Sequence, residues 1–322
     1  MKLLSSIIKA HTPVEEYVCH YIEGAESGKR LNSYGRRFAE NTLPTLRRTK
    51  ELFLEFQKTR HSRVIFNQVD RIAMNKFKSF LQQKGYATNT VDKYLTCLKT
   101  IISKAEEDGF RPQPCFRLAS STREMTDSIY LTHKEVEKMM AVDLSNLPQC
   151  YSYARDIFLI GVWTAQRVSD YGSISPQNIH YDNGLVTLDI IQKKTGQKVS
   201  IPCNPHLLKV LQRYNMRPPH IAPQHLNKYI KTVGKLAGID QVVEIEQSSP
   251  LGRLRKAVPK YSLITSHTAR RTGATLMYLS GMEYWDIMII TGHSSPEMLK
   301  RYIKASSLDV AKKLTLKYNY FN

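Results

Sequence analysis

Apolar side chains in the first third of the chain recur every three or four residues, a spacing that places them on one face of a helix. In the clearest example, a stripe that starts at Val91 and Leu95 continues until Gly109. Four segments share this pattern, and they predict a small helical domain over residues 11–110. They begin near Pro13, Pro44, Asp70 and Thr88.

Polar residues stand where they can cap these helices and a later one. Thr12 and Glu15 have the spacing of a capping box, in which each side chain accepts a hydrogen bond from the other residue's backbone N–H. Thr132 and Glu135 repeat this spacing farther along, and Asp70 directly precedes the third helix. These residues predict where the helices begin.

The helical pattern stops in the segment FRPQPCFRLASSTREMTDS. This segment contains two prolines and five serines or threonines, and its apolar residues have no period. Such a composition is typical of an exposed connection between domains. We therefore predict a linker over residues 111–128 and a second domain over residues 129–322.

The second domain combines strand and helix signals. The turn sequences DNG and KTGQ separate three alternating apolar runs within residues 178–203, which predicts a three-stranded antiparallel sheet. The segments VVEIEQ and KAVPKYSLI predict a further β segment, and the remainder is predicted to be mostly helical. The predicted fold class is mainly α with a small antiparallel β-sheet (α+β), in two domains.

The charge balance points to a polyanionic partner. The 322-residue chain has 47 Lys and Arg against 28 Asp and Glu, a formal net charge of +19. Each phosphate that a lysine or arginine neutralises releases counterions, so such a surplus favours nucleic acid. A basic surface without a nucleic-acid partner is the alternative that charge alone leaves open.

Cysteines and apolar runs indicate the compartment. The five cysteines are far apart and none has C-x-x-C spacing, so neither a metal site nor a disulfide framework is expected. The opening MKLLSSIIKA is interrupted by Ser5, Ser6 and Lys9 before a signal-peptide core forms. No later stretch is long and apolar enough to span a membrane. We expect a cytoplasmic protein with no membrane partner.

Six residues of the second domain have side chains suited to phosphate chemistry, although each also has an ordinary structural explanation. Lys194 lies at the edge of the KTGQ turn, where most lysines are simply solvated. His267 and Arg270 are three residues apart and therefore face one side of a helix, as a surface polar pair also would. A surface salt bridge would explain Arg167, and a helix cap or core packing would explain His293. Core packing would explain Tyr302.

Taken together, the six residues resemble the motif of the tyrosine recombinases, the phage-integrase family. The family's order is Arg, a hairpin Lys, His-x-x-Arg, His or Trp, and Tyr nine residues later. The chain has TAQRVSD, KTGQKVSIP, SHTARR, TGHSS and KRYIK in this order. Ala165 stands where the family usually has Gly, and Asp170 where it more often has Glu. Lys193 adjoins Lys194, which leaves the lysine assignment open between the two.

The resemblance covers roughly residues 11–310, and the helical first domain resembles the family's core-binding, SAM-like domain. It implies a site-specific recombinase that cleaves and rejoins DNA. Tyr302 would attack a phosphodiester to give a 3′-phosphotyrosyl ester and a free 5′ hydroxyl. Arg167 and Arg270 would each direct paired N–H donors onto the phosphate oxygens. They would take the place of metal ions, so no metal or other cofactor is expected.

The remaining residues would move protons and hold the phosphate. Lys194 is the expected general acid for the 5′ oxygen. His267 suits proton transfer around the tyrosine, and His293 a hydrogen bond to the phosphate. The ester keeps the energy of the phosphodiester, so a 5′ hydroxyl could reseal it without ATP. By resemblance, a homo-tetramer would bind two paired sites on double-stranded DNA, with no small-molecule substrate.

Two alternatives remain at this stage. A type IB topoisomerase uses an equivalent residue set, although its tyrosine usually lies farther than nine residues from the histidine. A DNA-binding relative without catalysis is the other, and the complete set of six residues argues against it. The DNA site and the outcome (integration, excision, inversion or dimer resolution) stay open.

The two ends of the chain carry further expectations. The residues before Thr12 are too few for the additional arm-binding domain of many integrases. In the tail, residues 307–322, Leu308, Leu314 and Tyr318 fall near one helical face. The resemblance predicts that this helix docks into a neighbouring protomer, and packing on its own domain is the alternative.

Overall fold

The chain forms two compact units in a computed structural model. One unit comprises the described residues of 1–126 together with those of 246–255, and the other those of 127–245 and 256–322. The residues described are 9, 11–60, 63–119, 124, 127–249 and 252–317. Most of the opening segment, and Tyr318 of the tail, therefore lie outside the described residues.

The first unit contains the four predicted helices. Their apolar stripes form one core, in which Phe53 and Phe56 each pack edge-on against Phe77, with ring centroids 5.9 and 5.5 Å apart. Ile22, Leu52 and Leu98 are fully buried in the same core. The helices are α1 Val14–Ser27, α2 Leu43–Lys58, α3 Arg71–Gln83 and α4 Thr88–Glu107.

The first half of the predicted linker includes a residue that is buried in the first unit. A short 3₁₀ turn, Pro114–Leu118, places Phe116 in the core of the first unit with no solvent exposure. The backbone N–H of Gln113 donates to the carbonyl of Val69 at 2.9 Å. Residues 111–119 are mostly exposed, but Pro112, Phe116 and Ala119 are buried, because a lone aromatic residue after two prolines has no period but still contributes apolar area. The domain division at 111–128 remains a prediction.

Two of the three predicted caps are confirmed. The side chain of Asp70 accepts from Ala73 N at 2.7 Å, and Thr132 with Glu135 forms a complete capping box. The predicted box at Thr12 is wrong, because α1 begins at Val14 and its N-cap is Pro13, which has no side-chain cap. Pro13 instead forms an isolated β-bridge with Ile65, which holds the chain extended at this point.

The second unit is built around two helices that cross closely, α6 Gln149–Thr164 and α10 Ser266–Leu279. A Cβ on Gly273 would lie 2.2 Å from the carbonyl oxygen of Val162, and one on Gly161 would lie 2.9 Å from Ala269 Cβ. Glycine is therefore required on both helices. The close crossing places the first turns of α10 beside the loop that follows α6.

The other described helices of this unit surround that pair. They are α5 His133–Ala141, α7 Val168–Tyr171, α8 Pro205–Gln212, α9 Pro223–Leu236, α11 Tyr284–Thr291, α12 Pro296–Lys300 and α13 Ser307–Lys317.

The predicted antiparallel sheet is confirmed, in the order β1-β2-β3. Leu188 is opposite both Ile179 and Ile201 in the register, and all three side chains are buried. The predicted β segment is present in part, as a second, two-stranded sheet, whereas Lys260–Leu263 within KAVPKYSLI forms a 3₁₀ turn. The strands are β1 Ile179–Asp182, β2 Leu185–Ile191, β3 Lys198–Pro202, β4 Val242–Ser249 and β5 Gly252–Pro259.

In this single chain the tail helix α13 packs on its own unit. Tyr130 OH donates to the Asp309 carboxylate at 2.8 Å, and Lys317 Nζ donates to Glu283 at 2.9 Å. Lys313 Nζ lies 3.5 Å from the centroid of the Tyr278 ring. The contacts correspond to the alternative arrangement of the tail, in which its polar side chains find partners within the same chain. No helix in the described part of the chain is long and apolar enough to cross a membrane.

Candidate functional site

The loop after α6 begins the site with an unusual backbone conformation. Helix α6 ends at Thr164, and its C-cap residue Ala165 has a φ of 50° and a ψ of 26°, in the left-handed region. This conformation costs an alanine on the order of 1 kcal/mol relative to glycine, which explains why glycine is usual at this position in the family. The turn presents the Ala165 carbonyl to α10 and places Arg167 at the start of α7.

Arg270, in the second turn of α10, is the most buried positive charge in the site. Its side chain is 1% exposed. Nη1 donates to the Ala165 carbonyl at 2.7 Å and Nη2 donates to the Thr291 carbonyl at 2.9 Å. Burial and the charge of Arg167 lower the pKa of Arg270, but an arginine stays protonated in proteins. Two backbone carbonyls therefore hold a desolvated guanidinium in one orientation.

His293 follows α11, whose C-cap Gly292 has a φ of 67°. Its Nε2 accepts from Arg270 Nη2 at 3.0 Å, and its Nδ1 lies 2.7 Å from Thr291 Oγ1. The Thr291 hydroxyl donates its own hydrogen to the Ile287 carbonyl at 2.6 Å, so it accepts from Nδ1–H. The proton of the neutral imidazole therefore lies on Nδ1, and both ring nitrogens are used.

The surroundings of His293 also keep it neutral. Burial, together with the charges of Arg270 and Arg167, lowers the pKa of His293 to about 3. A neutral ring with its N–H committed to Thr291 has no donor left for a phosphate. The resemblance implied a hydrogen bond from His293 to the phosphate, whereas in this arrangement its Nε2 accepts from Arg270.

Tyr302, just after α12, lies against these two residues. Its ring centroid is 5.1 Å from Arg270 Cζ and 4.6 Å from the centroid of the His293 ring. The ring is half-buried and packs on the small core of α11 and α12. These three residues thus form one contiguous cluster, although Arg270 and Tyr302 are 32 positions apart in the sequence.

His267 and Lys194 occupy the exposed side of this cluster. His267 lies one turn before Arg270 on α10, and Lys194 is in the β2–β3 turn. Partial burial lowers the pKa of His267, and the charges of Arg271, Arg270, Arg167 and Lys194 lower it further. The same four cations therefore surround this histidine, and they make the site strongly positive.

Asp170 is the residue that stands where the family more often has Glu. It is fully buried in α7, and its Oδ1 accepts from the backbone N–H of Lys193 at 3.1 Å. Its Oδ2 has no hydrogen-bond partner among the described residues. The hydrogen bond holds one end of the β2–β3 turn, so the backbone of Lys193 is anchored while the side chain of Lys194 is left exposed.

Two buried glutamines connect these parts and were missed by sequence reasoning. Gln166 Nε2 donates to the Ile290 carbonyl at 2.7 Å, and Gln192 Nε2 donates to Gln166 Oε1 at 2.7 Å. Neither residue is charged or part of the motif. The only available signal was their position, since each lies within two residues of a predicted site residue.

Across the described residues, no group of three or more His, Cys, Asp and Glu side chains is arranged to hold a metal ion. Apart from the buried carboxylate of Asp170, the charged groups that converge on the site are arginines and lysine. Such a site suits an anionic substrate whose negative charge increases during the reaction.

Comparisons with known proteins define the family. Residues 130–308 match the model of the phage integrase family, and residues 25–121 match that of the phage integrase SAM-like domain. The chain is 25% identical over 247 residues to tyrosine recombinase XerC of Chlamydia caviae, which covers 70% of each protein. The chain therefore belongs to the phage integrase family, the tyrosine recombinases, which cleave and rejoin DNA.

Solved structures agree with this fold. An integrase of transposon Tn1549 in complex with circular intermediate DNA has a TM-score of 0.66 and 16% identity, and the match covers 95% of this chain and 99% of that one. A lambda integrase tetramer bound to a Holliday junction has a TM-score of 0.64 and 14% identity, with 94% and 80% covered.

Proposed function

We propose that the chain cleaves double-stranded DNA at specific sites with Tyr302 and rejoins it through a 3′-phosphotyrosyl ester. The observation that carries this proposal is the packing of the Tyr302 ring against the buried, carbonyl-held guanidinium of Arg270. A phosphate that neutralises Arg270 would lie close to Tyr302, because the guanidinium packs against the tyrosine ring. Attack would form the Tyr302–phosphate bond and release the 5′ oxygen.

The surrounding residues would divide the remaining tasks. Arg167 and Arg270 would stabilise charge on the non-bridging oxygens, and Lys194 would protonate the leaving 5′ oxygen. His267, whose lowered pKa favours the neutral form, would accept the tyrosine proton. We assign His293 to the orientation of Arg270 rather than to the phosphate, since both its nitrogens are already bonded.

Substitution of Tyr302 by phenylalanine tests the proposal. The change keeps the packed ring and removes the attacking oxygen, so Tyr302→Phe should bind DNA normally but give no covalent adduct. The substrate is a labelled, nicked duplex containing inverted repeats mapped beside the protein's own gene, and the adduct is measured on denaturing gels. Tyr34→Phe is the matched control, because that tyrosine is 85% exposed.

An adduct at the wild-type yield in Tyr302→Phe would show that another residue is the nucleophile. A second readout separates recombination from DNA relaxation. The wild-type protein should join two separate duplexes that each carry a site, whereas a topoisomerase-like enzyme would reseal only the duplex that it cut.

Assembly and location are part of the same proposal. We propose a homo-tetramer on two paired sites, supported by the lambda integrase tetramer on a Holliday junction that shares the fold. A cytoplasmic location is supported by the five cysteines, none of which is in a disulfide. Gel-filtration mass of the complex with two sites would test the tetramer.

A further inference from the structure

Gln192 is not one of the six motif residues, but its side chain forms four hydrogen bonds within the proposed site. It is fully buried between the end of β2 and the β2–β3 turn. Its Oε1 accepts from Arg167 Nη1 at 3.3 Å and from Thr195 Oγ1 at 2.8 Å. Its Nε2 donates to Gln166 Oε1 at 2.7 Å and to the Thr291 carbonyl at 2.8 Å. Two donors meet one end of the amide and two acceptors the other, so all four of its hydrogen-bonding positions are satisfied.

The Thr291 carbonyl makes Gln192 a bridge between the two arginines. This oxygen accepts from both Gln192 Nε2 and Arg270 Nη2, at 2.8 and 2.9 Å. Arg167 is bonded to the other end of the same amide. The two guanidinium groups are therefore linked through one side chain and one carbonyl, although they repel each other electrostatically.

The neighbouring backbone is shaped to admit this side chain. A Cβ on Gly292 would lie 2.4 Å from Gln192 Nε2 and 2.8 Å from the rest of the amide group, so only glycine leaves room. The bond to Thr195 extends the connection into the turn that carries Lys194, because Thr195 directly follows this lysine.

We propose that Gln192 is a positioning residue that fixes Arg167 relative to Arg270, so that both guanidinium groups can face one phosphate. This inference rests on the proposed function, since it assumes that both arginines stabilise phosphate charge. Without the amide, Arg167 would lose its partner and the repulsion between the guanidinium groups would move it away from the productive arrangement. A misplacement of about 1 Å lowers the rate of a positioned reaction on the order of 100-fold.

The test is the single-turnover cleavage rate of Gln192→Met at saturating protein, on the nicked duplex. Methionine has nearly the same length and volume but cannot form the four hydrogen bonds. We expect the rate to fall about 10- to 100-fold with little change in DNA affinity. Gln224→Met is the matched control, because Gln224 is exposed in the first turn of α9, and it should cleave at the wild-type rate.

A second substrate separates positioning of charge from general damage. A methylphosphonate at the cleaved position replaces one non-bridging oxygen by methyl and removes the charge that the arginines must stabilise. On this substrate the defect of Gln192→Met, relative to wild type, should shrink to about threefold or less. An equal defect on both substrates, or a rate within about twofold of wild type on the normal duplex, would overturn the proposal.

A third variant covers the case in which Gln192→Met does not fold. Thr195→Val changes an exposed residue and removes only one of the bonds to the amide. It should give a smaller rate decrease, about threefold, with the same dependence on the methylphosphonate, and a wild-type rate would overturn the proposal. Absence of an adduct with the wild-type protein would instead reject the proposed function itself.

Discussion

At the scale of single residues, the buried side chains of this site have most of their hydrogen-bonding groups already paired within the protein. Arg270 has donated to two carbonyls and to His293, and His293 has committed its proton to Thr291. These groups cannot rearrange without breaking buried hydrogen bonds, which costs about 1–3 kcal/mol for each unsatisfied group. Lys194 is the opposite case, since it is exposed and its amine can move towards a leaving group.

The general acid can be assigned by comparing two adjacent lysines. If Lys194 protonates the 5′ oxygen, Lys194→Ala should slow cleavage about 100-fold or more on normal DNA. A 5′-bridging sulfur leaves without a proton, so this substrate should restore the rate to near that of wild type. Cleavage rates on the two substrates provide the measurement.

Lys193→Ala is the matched control for this assignment. The side chain of Lys193 is also exposed, and its backbone bond to Asp170 survives the substitution. Sulfur rescue of Lys193→Ala in place of Lys194→Ala would move the role by one residue, and rescue of neither would leave the general acid elsewhere.

The buried state of His293 predicts a pH dependence of stability. Its pKa is about 3 in the folded protein and about 6.5 when unfolded. The unfolded chain therefore binds one more proton between these values, and stability falls as the pH falls below about 6.5. From pH 7.5 to pH 5 we expect a loss of about 2 kcal/mol from this residue.

Denaturant unfolding of wild type and His293→Phe across this pH range measures that contribution. Phenylalanine keeps a ring against Tyr302 but loses the hydrogen bonds to Arg270 and Thr291, so the variant should be less stable at pH 7.5. Because phenylalanine does not titrate, the variant should lose less stability on acidification. Parallel pH curves for the two proteins would mean that His293 is not buried and neutral as described.

At the scale of elements, the position of the tail helix α13 depends on its polar contacts more than on its apolar stripe. Its apolar stripe is short, and Leu308 is 63% exposed in the single chain. The contacts that hold it are mainly polar: Asp309 with Tyr130 and Lys317 with Glu283. A short helix held in this way gains little stability and could exchange its surface for another.

Removal of the tail tests its expected role between protomers. Deletion of residues 307–322 should leave binding to one DNA site within about threefold of wild type, but prevent two sites from being paired and lower cleavage, because the helix is proposed to dock on a neighbour. Native gels with one and with two labelled sites measure both steps. Formation of the paired complex by the shortened protein at wild-type yield would reject docking between protomers.

At the scale of the whole molecule, the surplus of 19 positive charges predicts the salt dependence of DNA binding. Each neutralised phosphate adds about −0.9 to the slope of log K against log salt. With six or more phosphate contacts, affinity should fall about 10³-fold or more between 50 and 200 mM salt, as measured by fluorescence anisotropy on duplex DNA. A slope near zero would mean that the basic surface is not the DNA-binding surface.

The sequence by itself determined the four helices of the first unit, the three-stranded sheet and the two confirmed caps. Each depends on residues close together in the chain, through periodicity, turn residues or a side chain that bonds three residues away. The six candidate site residues were predicted from the order and spacing of their motif, and their roles stay a proposal. Their convergence could be expected by resemblance, although no local rule states it.

Tertiary structure alone decided the contacts that give these residues their properties. The burial of Phe116, the Gln192 bridge and the hydrogen bond between Arg270 and His293 all depend on groups distant in the sequence. A buried amide or imidazole is defined by its partners, and those partners come from the loop after α6, from α10 and from the end of α11. Such long-range pairings leave no period in the sequence, because the partners are neighbours only in the folded chain.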